Sequence, residues 1–507
     1  MQQNILLNIF NARLFFFTIF VFLLFLSILG PPNVKVFSLV TSFDFKEIFL
    51  IYKNSESFFR MPDTSNRLMV FLLSIVFLII SSSSHSNSLN SNKFFQYSFV
   101  FLSSIFFLSI LITDNLYNIA ILLLILLSIY YYIYRASNAF ESVEILFLSG
   151  YLFFSIFPFL HSFFITSSIA EVDNYTRFLL AIPLYLMIRD LTFEKKYFLY
   201  LINVSAILLV PVTLYFHLMV DIERVRLFTS SATVLSYIAI TLFLFSILSI
   251  FFFKKYKLKY SLLPYLASFS ALYSWGLSGS RFTILIPIVI LLFVLINPNY
   301  RKYISPLLNI KSIIFIFVLF ITLFTSISFE RFGNLNLSSW TNYDNPEANN
   351  WKKKDSIIPR LLIWDGSINI INENPILGVG LDNFNSQLHQ QIVDKKIPPI
   401  RKDFKNPTAG LNHAHNQYLD IFVKLGFFGL LVLMYFIYIN FYFFYQLRKN
   451  SKDELFTLYG QLFVFIFSLI MINHVILSHH QSTIFMIFLL IFFSGLSMSN
   501  KKKEASV

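Results

Sequence analysis

The 507-residue chain contains no cysteine, which excludes disulfides and thiolate zinc sites while leaving its compartment open. Charge is also scarce: 13% of residues are Asp, Glu, Lys or Arg, against 56% hydrophobic and a mean hydropathy of +0.68. Soluble domains carry roughly one charged residue in four, so that class is excluded. Acidic residues are almost missing from the middles of the apolar runs, where a proton-coupled transporter would need them. No glycine-rich phosphate loop occurs, which argues against an ATP or nucleotide-sugar enzyme. Basic residues outnumber acidic ones 39 to 26, for a net charge of +13. They sit on short connectors and one loop, so anionic lipid headgroups and phosphate-bearing substrates fit better than nucleic acid.

Apolar length and aromatic rings are abundant. The 65 Phe and 27 Tyr suit lipid-facing helices and interfacial belts. Runs long enough to cross a bilayer lie near 12–30, 67–83, 94–112, 115–134, 143–164, 197–219, 231–253, 260–275, 281–297, 311–327, 416–446, 455–477 and 481–498. A shorter run, 175–188, reads as a further span interrupted at Pro183. The expected fold is therefore an all-α polytopic membrane protein of about 12–14 spans. Leu14–Gly30, behind Arg13, is expected to be retained as the first span, because no A-x-A-like cleavage site follows.

Orientation follows from the basic connectors. Lys254, Lys255, Lys257 and Lys259 mark one cytoplasmic loop, and Arg301, Lys302 and Lys311 the next; Arg448, Lys449 and Lys452 follow, with Lys501–Lys503 in the tail. One large polar segment, 328–414, is then left outside, between transmembrane sets at 1–327 and 415–507. It contains one expected helix: Pro359 stands in the first turn, and Leu361, Trp364, Ile368 and Ile371 form an apolar stripe. Asn374-Pro375 ends that helix, and Gly378 and Gly380 make the following turn.

Ionisable residues at membrane depth are costly and tend to be functional. Eight of the nine histidines (His161, His217, His389, His413, His415, His474, His479 and His480) fall on the expected outer side; only His85 does not. Arg177 and Arg281 each open a span, where the helix dipole disfavours a cation. An arginine there makes sense if it shares an anion with the free backbone N–H groups. With Arg224, Arg226 and Arg360 they define an outward electropositive cavity for phosphate or pyrophosphate, or else snorkel to headgroups. His413 and His415 stand where the large loop meets a span, suited to moving a proton near neutral pH. On a helix start they would point roughly 200° apart, so only one could face a given substrate oxygen. Asn473, His474, His479 and His480 read as interfacial polar residues, since few carboxylates accompany them.

Taken in order, the polar motifs are Asp173-Asn174-x-x-Arg177, Ser278-Gly279-Ser280-Arg281, Arg360-x-x-x-Trp364 and Asn374-Pro375-Ile376-Leu377-Gly378-Val379-Gly380-x-x-x-Phe384. His413-x-His415-Asn416-x-Tyr418-Leu419 and Gly426-Phe-Phe-Gly429 follow. This series resembles the O-antigen ligase and polymerase superfamily of bacterial envelope enzymes, and Asp173 to Pro183 resembles its ligase branch. The resemblance implies transfer of a glycan from an undecaprenyl-pyrophosphate carrier to a sugar hydroxyl of lipid A–core at the periplasmic face of the inner membrane. It implies that no cofactor, metal, nucleotide or nucleic acid takes part. It further implies that His415 is the general base, with Arg281 and Arg360 also catalytic. Arg177, Arg226, Arg224, His413, Asn416 and Trp364 would bind substrate. Lys424 stands where relatives often carry an acidic residue. The rival readings are a polymerase or protein O-oligosaccharyltransferase of the same superfamily, and a lipid-linked glycan transporter.

Overall fold

The computed structural model describes residues 88–304 and 357–505, apart from the short connectors 114–115, 135–139, 166–171, 192, 220–224, 281–282, 284, 401–410 and 451–453. The apolar runs expected at 12–30, 67–83 and 311–327 lie outside the described residues. Fourteen α-helices and no strand occur among those described. A lipid interior leaves backbone groups no partner but each other, which is why long apolar sequence resolves into helices.

The bundle comprises α1 (Ser88–Ser109), α2 (Leu116–Tyr134), α3 (Ser142–Ile165), α4 (Asp173–Asp190), α5 (Lys195–Met219), α6 (Ala232–Lys255), α7 (Leu263–Leu277), α8 (Leu285–Ile296) and α9 (Pro298–Ile304). Helices α10 (Ile357–Glu373) and α11 (Phe384–Val393) follow, then α12 (Gln417–Asn450), α13 (Leu455–Ile470), a 3-10 turn at Ile476–Ser478, and α14 (His480–Ala505). Five of these, α3, α5, α6, α12 and α14, are long and apolar enough to span a membrane, and α1, α2, α8 and α13 contain shorter apolar stretches. The protein is an all-α polytopic membrane protein.

Several expectations change here. Helix α4 runs through Pro183 without a break, as α3 does through Pro158 and α5 through Pro211. Neighbouring helices can re-satisfy a backbone carbonyl that proline leaves free. Many aromatic rings are internal rather than lipid-facing. Phe147, Phe154, Phe178, Phe245 and Phe252 are fully buried, Phe154 stacks on Phe436 at 4.7 Å, and Phe245 meets Tyr459 edge-on at 5.1 Å. The expected span 455–477 ends as a helix at Ile470, and the chain turns through 471–479 before α14.

Helices α4 and α14 run parallel, because Gly495 packs on Ile188 and Lys502 reaches Asp190 at 3.0 Å near their C-termini. Their N-termini therefore share the opposite end of the bundle. Charge concentrates at the C-terminal end of this pair: Arg189 pairs with the fully buried Glu144 at 2.7 Å, and Lys501 with Glu141 at 2.5 Å. The other end carries histidines.

The large loop contains a second helix, α11, and a hydrophobic core of its own rather than α10 alone. Leu362, Ile363, Ile370, Phe384, Leu388, Ile397, Ile400, Leu411, Ala414 and Val423 form that core, separate from the bundle's. Val423 belongs to the first turns of α12, which break at Gly426 (φ 67°, ψ −166°). The break frees carbonyls that a continuous helix would use internally. Val379 N donates to Val423 O at 2.9 Å and Gly380 N to Lys424 O at 2.8 Å, while Phe427 N donates to Pro375 O at 2.9 Å. His161 on α3 adds a 2.5 Å contact between its Nε2 and the Leu377 carbonyl. The loop is thus fastened to the bundle through backbone bonds at a kink.

Candidate active site

Neither His413 nor His415 lies on a helix, since α12 starts at Gln417. The expected 200° divergence does not apply, and the two imidazoles pack edge to face with centroids 4.4 Å apart. The intervening Ala414 is held from both sides. Its carbonyl accepts from Trp364 Nε1 at 2.9 Å, and its N–H donates to Asp420 Oδ1 at 2.9 Å. Under those constraints His415 takes the left-handed conformation (φ 54°). A side chain there costs roughly 1–2 kcal/mol, which the two buried bonds to Ala414 offset. His415 N also donates to His413 Nδ1 at 3.3 Å.

Asn416 caps α12, its Oδ1 accepting from Tyr418 N at 3.0 Å and Leu419 N at 3.1 Å. Asp420 is buried and reaches Lys424 Nζ at 3.3 Å, one helical turn on. Lys424 thus balances the carboxylate that holds the histidine turn. Trp364, Asn416 and Asp420 all contact backbone of this turn or of the helix start behind it.

The α13–α14 turn supplies the facing side. Arg360 Nη1 donates to Asn473 Oδ1 at 2.8 Å, fixing the guanidinium at the start of α10. His479 faces His413 with centroids 5.9 Å apart, and His474 stacks on His479 at 4.8 Å and 10°. Tyr237 closes the far side of His474 at 5.0 Å. The turn is itself anchored to the start of α12: Gln417 N donates to Met471 O at 2.8 Å, and Leu477 N to Gln417 Oε1 at 3.0 Å. Sequence reading set Asn473, His474 and His479 aside. Their shared place on the expected outer side was the available signal, and the apolar run through 477 hid the turn that brings them inward.

Burial pushes all four imidazoles below their ordinary value. His415 is driven down to about 3, first by desolvation and then by the positive charge of His413, Arg360 and His479. His479 falls to about 4 through burial and His413. His413 falls by burial, partly opposed by Asp420, and His474 falls well below by burial and the same neighbours. At neutral pH the cluster is a set of uncharged imidazoles with lone pairs beside a desolvated guanidinium.

Arg226 is exposed on the segment before α6, which is tied to the α7 end by Val225 N donating to Leu277 O at 3.2 Å. The same segment reaches the cluster, with Ser230 Oγ 3.1 Å from His479 Nδ1. Arg177 is half-buried in the first turns of α4, on the level of the α14 start, and α4 also touches the 3-10 turn. Arg224 and Arg281 lie outside the described residues. Two positions after Arg281 in sequence, Thr283 Oγ1 is 2.7 Å from Ser236 Oγ and accepts from Trp275 Nε1 at 2.6 Å, linking α7 to α6. Among the described residues no group of three or more His, Asp or Glu side chains is arranged to hold a metal ion.

A family model described as O-Antigen ligase matches residues 266–434, the stretch holding Arg281, Arg360, Trp364, His413, His415 and the Gly426 kink. The chain belongs to the O-antigen ligase and polymerase superfamily. The superfamily motifs thus meet in space: Asn374–Gly380 docks on Gly426, and Arg360 and Trp364 flank the histidine turn that precedes α12. An uncharacterized protein of Haemophilus influenzae is 31% identical over 359 residues, which cover 69% of this chain and 86% of that protein. Superfamily members are glycosyltransferase-like enzymes of the membrane.

Proposed function

We propose that the protein is an O-antigen ligase, transferring a glycan from undecaprenyl pyrophosphate to a sugar hydroxyl of lipid A–core at the periplasmic face of the bacterial inner membrane. The observation that carries this reading is the junction of Arg360, Asn473 and His413/His415 at one end of the bundle. The opposite end carries Lys254, Lys255, Arg301, Lys302, Arg448, Lys501 and Lys502, which by the positive-inside rule belongs to the cytoplasm. The histidine end then faces the periplasm. The proposed division is 1–327 and 415–507 in the membrane, with 328–414 outside and the first turns of α12 packed into the loop's core.

In this mechanism the acceptor oxygen attacks the anomeric carbon, and His415 takes the hydroxyl proton. The bond from that carbon to the pyrophosphate oxygen breaks, and its electron pair leaves with the carrier. Arg281 and Arg360, assisted by Arg177, Arg226 and Arg224, would meet the charge that grows on the leaving group. Arginine suits this because its fork binds phosphate oxygens in pairs. His413 lies towards the acceptor, while Trp364 and Asn416 hold the turn on which both histidines stand. The bound pyrophosphate would also offset the positive field of Arg360 and raise the basicity of His415, coupling donor binding to base strength.

The test is reconstitution of the purified protein with an undecaprenyl-pyrophosphate-linked oligosaccharide and lipid A–core. Glycan should appear on the acceptor, and Arg281→Ala or His415→Ala should prevent it. Growth of the carrier-linked glycan instead would mark a polymerase, and movement of intact carrier across the bilayer a transporter.

A further inference from the structure

At the end of the bundle away from the histidines, residues 140–146 at the start of α3, the last turns of α12 and the tail of α14 enclose a cavity of about 540 Å³. Among the described residues, two charged side chains line it, Glu141 and Lys501, which pair at 2.5 Å. An ion network stands behind them. Arg189 holds Glu144 at 2.7 Å and Asp190 at 3.3 Å, and Lys502 holds Asp190 at 3.0 Å. Glu144 Oε2 also accepts from Glu141 N at 2.9 Å. The side chains of Glu144 and Arg189 are fully buried, whereas those of Glu141 and Lys501 stay 41% and 24% exposed. The pair at the cavity is therefore the part of this network that a ligand can reach.

Charge and shape narrow the ligand. Three carboxylates (Glu141, Glu144 and Asp190) meet three cations (Arg189, Lys501 and Lys502), so this network is electrically balanced. Arg448 of α12 turns away from it, its guanidinium 4.4 Å from the Tyr300 ring. A lone anion on Lys501 would sit against the Glu141 carboxylate and meet its repulsion. A group carrying both signs a few bonds apart can replace the pair's own contact and leave no charge uncompensated. Ser142 and Gln446 add a hydroxyl and an amide to the lining, and Phe140, Leu146 and Tyr442 give it an apolar side. Arg189 stands 4.6 Å from the Phe140 ring, which fixes that side in place. We propose that the cavity is a headgroup site for a phospholipid bearing a phosphate and a primary ammonium, the chemistry of phosphatidylethanolamine. Lys501 takes the phosphate as a point charge, and Glu141 accepts N–H bonds that a trimethylated ammonium cannot give. The acyl chains leave past exposed Leu146 into the bilayer. By the positive-inside rule this is the cytoplasmic leaflet. The bound lipid ties the start of α3 to α12 and α14.

The experiment strips the full-length protein of lipid in detergent, adds one lipid at a time, and measures retained lipid by native mass spectrometry and the thermal midpoint beside it. The probes are phosphatidylethanolamine, phosphatidylcholine (same charges, methylated ammonium), phosphatidylglycerol (anion alone) and soluble phosphoethanolamine. Phosphatidylethanolamine should be held about 10-fold more tightly than the other two lipids and should raise the thermal midpoint most. Glu141→Gln should erase that preference, and Lys501→Gln should weaken retention of all three. Lys502→Gln, whose lysine lies behind the cavity, should keep the wild-type ranking. Ser142→Trp fills the cavity without touching either charge and should lose the bound lipid while its helix content by circular dichroism stays that of wild type. Equal retention of the three lipids, or a preference that survives Glu141→Gln and Ser142→Trp, would overturn the site. Preference for phosphatidylglycerol would overturn the zwitterionic ligand, and displacement of the lipid by an equal concentration of soluble phosphoethanolamine would overturn the lipid. No arm of the experiment uses glycan transfer, so its outcome is independent of the ligase reading.

Discussion

A Cβ added to Gly378 would stand 2.5 Å from the backbone nitrogen of Gly426. Both glycines have positive φ, 68° and 67°, and between them pass the backbone bonds that fasten the large loop to the α12 kink. Gly378→Ala and Gly426→Ala therefore meet both a clash and a conformation that alanine adopts only with strain of about 1–3 kcal/mol. Each should lower the thermal midpoint and abolish transfer, although His415 and Arg360 are untouched. Wild-type melting of either variant would show that the loop is held elsewhere.

His415→Ala should cost a factor of about 10²–10⁴ in rate, the usual loss for a general base. The protein should stay folded and still bind carrier-linked donor. His413→Ala should be less impaired, because His413 supports the turn through the His415 N–H rather than taking the acceptor proton itself. Single-turnover rates with donor pre-bound would rank the two, and the reverse ranking would move the base to His413.

The pH dependence has a fixed sign. His415 at about 3 and His479 at about 4 lie below the ordinary value of 6.5. The unfolded chain therefore binds protons more readily, and stability is complete above about pH 6.5 and falls as pH drops towards 4. Melting at pH 7.5 and 5 should show the loss, and His479→Asn should reduce it. In kinetics, the acid limb of kcat should lie at higher pH than that of kcat/KM, because bound pyrophosphate raises the base. Coincident limbs would remove that coupling.

Asn473 holds Arg360 by a single 2.8 Å bond. Asn473→Ala should weaken donor binding by about 10-fold with the fold intact, since a partly buried charge-assisted bond is worth roughly 1.5–3 kcal/mol. Arg360→Lys should retain little activity, as lysine lacks the fork. Donor affinity measured on inactive His415→Ala protein separates binding from chemistry, and wild-type affinity in Asn473→Ala would free Arg360 from this partner.

A chain without cysteine is ready for accessibility mapping. Exposed Ser386 on α11 and exposed Lys259 after α6 lie at opposite ends of the bundle. Ser386→Cys should react with an impermeant thiol reagent in cells with a permeabilised outer membrane, and Lys259→Cys should react only after lysis. The opposite pattern would invert the topology.

The sequence by itself determined the solvent, the helices and the ends. Apolar runs located α1 to α8 and α12 to α14 because lipid leaves backbone no alternative, and the 357–373 helix was legible from its stripe and its Asn374-Pro375 stop. The histidines and the candidate-site arginines were read at span ends because ionisable side chains are costly within the hydrocarbon. Tertiary structure decided the rest. The kink at Gly426, the loop's own core and the parallel pairing of α4 with α14 depend on contacts between residues far apart in the chain. So does the inward turn of Asn473, His474 and His479. Local pattern reports how polar a residue's surroundings should be and not which partner supplies them. Hence His413 and His415 were read on a helix, while the bonds of Trp364 and Asp420 to Ala414 hold them in a strained turn before it.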